Sequence, residues 1–135
     1  MIETAVRYLL INAATLTPTI ADRVFFSLKP QNENRASVVV SRVATTRELV
    51  FKGPAGYSSG TLQLDCFAPD YPTAKQLAEA VRKVLHGFSG TVAEVDQVGY
   101  LGVSNDRDMP ATPAEGRSNP SVFGVSLDVD YSTKE

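Results

Sequence analysis

The order of hydrophobic patterns along these 135 residues predicts an α+β fold: a mostly antiparallel sheet of about five strands, packed as one layer against a second layer of two helices. Three observations carry that prediction. Ile2, Ala5, Val6, Leu9, Leu10 and Ala13 recur at helical spacing. Leu62, Leu64 and Cys66 alternate with Gln63 and Asp65, and Phe123, Val125, Leu127, Val129 and Tyr131 alternate with Gly124, Ser126, Asp128 and Asp130. That period of two marks strands with one polar face, which suits an antiparallel sheet covered on its apolar side. Between the alternating segments, Ala74, Leu77, Ala78, Val81, Val84, Leu85 and Phe88 form a second helical stripe.

The elements follow in the order α-β-β-β-α-β-β. The first helix covers 2–13 and ends in the Thr15 to Thr19 stretch with Pro18. Arg23 to Leu28 reads as a short strand around Val24, Phe25 and Phe26, and Ser37 to Thr45 as a second, its Val38-Val39-Val40 run favouring extended backbone. Residues 46–60 read as a long loop or hairpin tip with Gly53-Pro54 and Gly56 to Gly60. The third strand ends at Pro69, and the second helix starts near Tyr71. Asp70 and Thr73 compete as its N-cap, and Gly87 suits the position just past its end. Thr91 to Val103 reads as a strand bent at Gly99 or Gly102. A polar loop with three prolines is expected over 104–120, before the last strand.

The length fits a single domain, 1–135. Thirteen basic and fifteen acidic residues give a formal charge of -2, without the basic surplus or stripe of a protein that grips phosphates. No apolar run approaches the ~20 residues of a membrane-spanning helix. Glu3 stands ahead of the main apolar residues of the N-terminal segment, unlike the basic start of a secretory signal. One cysteine rules out an internal disulfide, which fits folding in a reducing cytoplasm.

Catalytic patterns are few. Gly56-Tyr57-Ser58-Ser59-Gly60 matches G-x-S-x-G, with Asp65 or Asp70 and then His86 in the order a hydrolase triad requires. That chemistry needs the serine on a strained strand-to-helix turn, whereas this stretch runs into a strand, so a Gly-Ser turn is the better reading. One cysteine and one histidine do not make a zinc site. Asp106, Asp108, Asp128 and Asp130 lack the spacing of a calcium loop. Cys66 falls on the apolar face of its strand and reads as a small buried hydrophobe. Phosphate-binding glycine loops are absent, and no cofactor or metal is implied.

Several of these segments, taken in order, resemble the tail-completion (tail-terminator, or head-to-tail joining) proteins of tailed bacteriophages. They are the helix Ile2 to Ala13, the Ala21-Asp22-Arg23-Val24-Phe25 entry into the first strand, Val38 to Val43, Gln63-Leu64-Asp65-Cys66-Phe67-Ala68, the helix Tyr71 to Gly87, and the final strand Phe123 to Tyr131. The resemblance implies a structural virion protein of a phage or prophage rather than an enzyme. Such a subunit forms a ring, often a hexamer, that caps the head-proximal end of the tail tube, ends its polymerisation and meets the head. It is assembled in the bacterial host cytoplasm. The implied partners are further copies of the chain, the tail tube protein and the head connector or head-closure protein. The alternatives are a head-closure adaptor or, in another class, a small serine hydrolase using Ser58. On the ring reading, Arg47, Glu48, Lys52, Asp106, Arg107 and Asp108 in the two loops are candidate interface residues. Ser126, Asp128 and Asp130 are candidates to face the lumen, where carboxylates repel passing DNA.

Overall fold

The computed structural model describes residues 2–27, 35–50, 53–92, 96–113 and 120–134. Helices α1 (Ile2–Ile11), α2 (Thr17–Ile20) and α3 (Tyr71–Leu85) accompany strands β1 (Val24–Phe26), β2 (Ser37–Val50), β3 (Gly53–Ala68), β4 (Gly90–Val92), β5 (Asp96–Pro113) and β6 (Pro120–Lys134). The strands make one sheet in the order β1-β2-β3-β6-β5-β4. Every pairing is antiparallel except that of β1 with β2. The expected mostly antiparallel sheet packed against helices is what forms, with one strand and one short helix more than the patterns announced.

The sheet centre is the β3–β6 pair, in register without a break from Tyr57↔Lys134 to Ala68↔Phe123. Its helix-side face presents Leu62, Leu64 and Cys66 from β3 and Val125, Leu127, Val129 and Tyr131 from β6, all buried. Ala74, Leu77, Ala78, Val81 and Leu85 of α3 and Ile2, Ala5, Val6 and Leu10 of α1 pack into the same core. Each large apolar side chain so buried contributes about 1.5–3 kcal/mol relative to exposure. The period-3.6 and period-2 stripes of the sequence are therefore two faces of one core.

Local chemistry sets the ends of α3. The Asp70 carboxylate accepts the Thr73 amide at 2.9 Å and the Thr73 hydroxyl at 2.9 Å, which decides the cap in favour of Asp70. Those bonds hold the Asp70 carboxyl below its usual range. Pro72 occupies the first turn, and Arg82 and Lys83 occupy the last, where positive charge complements the helix dipole. Gly87 follows with φ +83°, the left-handed conformation in which glycine ends a helix, and its amide bonds the Leu101 carbonyl.

Two expectations are corrected. Residues 46–60 were expected as a loop or hairpin tip and 104–120 as a loop; 46–50 and 53–60 form the hairpin as long strands, and 104–113 and 120 lie in strands as well. β2 pairs with β3 out to Val50↔Gly53, and β5 with β6 out to Pro113↔Pro120. Main-chain ladder bonds hold these arms, and they need no alternation of side chains. The strand expected over Thr91 to Val103 is likewise divided, into β4 and the start of β5.

Ala21 links α2 to β1 with φ 51° and ψ −113°, the first central position of a type II′ turn that the Arg23 amide closes on the Ile20 carbonyl at 2.8 Å. Glycine normally occupies that position, and an alanine there is strained. Ala21→Gly is therefore expected to raise stability by about 0.5–1 kcal/mol, the relieved strain less the added freedom of the unfolded chain. A urea titration in which the midpoint stays or falls contradicts this.

Candidate assembly surface

The sheet has two free edges. β1 covers β2 only at Val38–Val40, so β2 from Ser41 onward has no outer strand among the described residues. On the other side, β4 covers Asp96–Val98 of β5. The turn after α3 then covers a little more: Leu101 exchanges bonds with Gly87 and Phe88, and the Val103 amide donates to His86 Nδ1 at 3.0 Å. From Ser104 to Pro113, β5 has no outer strand among the described residues. The two free segments lie on opposite edges and towards opposite ends of one sheet.

Five of the six candidate interface positions fall on these arms. The backbone of Arg47 and Glu48 belongs to β2, and Lys52 lies outside the described residues. Asp106, Arg107 and Asp108 belong to β5 and are exposed. Strand geometry sends their side chains to alternate faces. Asp106 and Asp108 pair with Leu127 and Val125 on the helix side, whereas Arg107 pairs with Ser126 on the outer side.

Asp108 has partners within the chain. It accepts the Tyr71 hydroxyl at 2.5 Å and Lys75 Nζ at 3.2 Å, tying the β5 arm to the first turn of α3. The Tyr71 bond, then Lys75, holds its carboxyl below the usual range, and in return the Tyr71 phenol and the Lys75 ammonium are both raised. Tyr71 meets Phe123 of β6 edge to face at 6.4 Å. Asp106 has no hydrogen bond among those described; Arg82 is raised first by its bond to the Glu79 carboxylate, and the charge of Asp106 adds to that.

Polar side chains cross the outer face. From β5, Arg107 reaches Asp128 of β6 at 2.9 Å and Gln63 of β3 at 3.4 Å. Gln63 Nε2 donates to Asp65 at 3.0 Å, and Thr61 donates to Asp130 at 3.0 Å. Asp128 and Asp130 are half-buried. Ser126 shares their face, but it is 1% exposed and its Oγ has no hydrogen-bond partner among the described residues. It lies between Asp65 of β3 and Arg107 of β5 on that face, beside Asp128 and Asp130, the carboxylates that β6 presents.

The other sequence signals resolve into structure. Ser58 lies within β3, between Arg47 of β2 and Thr133 of β6, at 7% exposure. That is not the strand-to-helix elbow of a hydrolase, and His86 spends Nδ1 on the Val103 amide. Cys66 is fully buried, and burial first, then Asp65, pushes its thiol far above the usual value. No group of three or more metal-ligating side chains gathers among the described residues. Arg23, in the Asp-Arg-Val-Phe stretch, donates to the Thr19 and Ala36 carbonyls at 2.8 and 2.9 Å and so joins α2 to the start of β2.

Comparison with known proteins agrees with this architecture. A chain from the virion of a native gene transfer agent (GTA) particle is similar in structure, with a TM-score of 0.77 over 98% of this chain and 94% of that one. At 15% identity that likeness is one of fold. A search of curated proteins finds no match. The family described as "Tail completion protein gp17" matches residues 4–117, most of the arms included. This chain belongs to that tail completion family.

Proposed function

We propose that the chain is a structural subunit that closes the head-proximal end of a phage tail tube as a ring, stops the tube from growing and joins it to the head. The observation that carries this is the pair of free edges on the β2 and β5 arms. A ring needs a heterologous contact, in which one patch of each copy meets a different patch of the next. Two unpaired strand edges on opposite sides of one sheet supply such patches, and pairing them is antiparallel. Because the free segments lie towards opposite ends of the sheet, neighbours must be staggered along the strands. A closed ring accommodates that stagger when its strands tilt against the ring axis.

The polar residues on the arms fit the same contact. From Ser41 onward β2 carries Arg42, Arg47 and Glu48, a net positive charge, with Lys52 next in sequence beyond its end, whereas Asp106, Arg107 and Asp108 give the free part of β5 a net negative one. Opposite charge fixes register and steers encounter. The face away from the helices then lines the passage, with Asp128 and Asp130 on β6 and Asp65 on β3. Carboxylates there keep a phosphate backbone moving. The family's name and a virion-derived structural neighbour support the same assignment.

The direct test is tube growth. Tail tube protein polymerised with this chain is expected to give short tubes carrying a ring at one end in negative stain; unchanged length with bare ends defeats the reading. Binding to head connectors without any effect on tube length would favour a head-closure adaptor instead. For the lumen, Asp130→Lys leaves the Arg107–Asp128 pair intact. Virions bearing it are expected to assemble normally and to release DNA several-fold more slowly in an ejection assay, and wild-type kinetics contradict a lumenal position for Asp130.

A further inference from the structure

The free edges are broken where a neighbouring strand needs them straight. The β3–β6 ladder has no register shift, and neither does β1–β2 or β4–β5. The shifts lie in the two outer pairings, after Arg42 and Arg47 in β2 with β3, and after Val98, Val103, Met109 and Thr112 in β5 with β6. Val43 is the extra residue at the first break in β2 and is 61% exposed; Ser104 is its counterpart where the free part of β5 begins. A bulge leaves a residue unpaired, bends the strand and tightens its twist, so a regular partner strand cannot follow that edge. Further along the β5 arm, Pro110 and Pro113 have no amide hydrogen to offer.

We propose that the bulges at Val43 and Ser104, with Pro110 and Pro113, are an assembly brake. They keep the edges of separate copies from pairing in solution, so that the arms join only when subunits are already held side by side. The occupant of each edge is a second copy of this chain, argued from the complementary free segments and the opposite net charge of the two arms. This rests on the ring reading and adds its control. An unprotected edge is a template for indefinite pairing, and a head-to-tail contact that fails to close makes filaments. A subunit that ends polymerisation has to avoid polymerising itself. Subunits seated on a tube end meet at a high effective concentration, where even a weakened edge contact suffices.

The test deletes Val43 or Ser104 singly and, separately, replaces both prolines (Pro110→Val with Pro113→Val). Folding is checked by circular dichroism and mass by light scattering over a concentration series. The wild-type chain is expected to keep single-chain mass. Each variant is expected to associate at roughly tenfold lower concentration or less, the effect of one or two regained ladder bonds. Folded variants that stay at single-chain mass overturn the brake. So does a wild-type chain that closes rings unaided, although that result upholds the ring. Should both deletions fail to fold, the proline variant decides alone. Variants that associate while the wild type ignores tube ends uphold the brake and sink the ring.

Discussion

The uninterrupted ladder between β3 and β6 is the constraint on which the rest of this structure depends. It places Leu62, Leu64 and Cys66 beside Val129, Leu127 and Val125 on one face, the surface that α3 and α1 need to bury their stripes. A one-residue slip would turn that whole set to the outer face. The ladder also fixes which strands become outermost. β2 and β5 each join the central pair through a long hairpin, and each outruns the short strand that flanks it. Core packing and free edges are thus two results of one pairing.

The central part of this arrangement is legible in the sequence because burial writes a period into the chain. The alternation in Leu62 to Cys66 and in Phe123 to Tyr131, and the stripe in Ala74 to Leu85, all report a single buried face. The arms write no such period. Thr45 to Val50 and Asn105 to Pro113 mix charges, prolines and apolar residues because their ladder bonds are made by main chain and their positions are interrupted by bulges. Low strand propensity at Asp, Asn and Pro adds to the disguise. A usable signal was present nonetheless: both segments adjoin a strongly patterned strand, β3 or β6, and a hairpin partner is the simplest use for such a neighbour.

The candidate residues show the same division. The six polar positions stand out in the sequence as parts of apparent loops, and the five among the described residues sit on strands, where facing is fixed. Asp108 and Arg107 serve the chain's own cohesion, through Tyr71 and Lys75 and through Asp128 and Gln63. Ser126 follows the polar alternation of β6 yet is buried, in the middle of the sheet with Asp65 of β3 and Arg107 of β5 as its ladder neighbours. Pairing across strands is non-local, and a single strand's pattern does not reveal it. The two open edges are what the proposed ring uses: on that proposal, the sheet's unfinished sides are finished by its copies.

The most direct measurement of that idea is covalent capture of the contact in assembled tails. Arg47→Cys and Asp106→Cys place one thiol on each arm, while the native Cys66 is fully buried and its thiol unreactive. A short bifunctional thiol reagent applied to tails built with the double variant should give a ladder of linked chains ending at the ring's subunit number. Tails built with either single variant should give none. If the double variant assembles into complete tails and yields only what the single variants yield, the arms do not join neighbouring subunits, and the account is wrong at its centre.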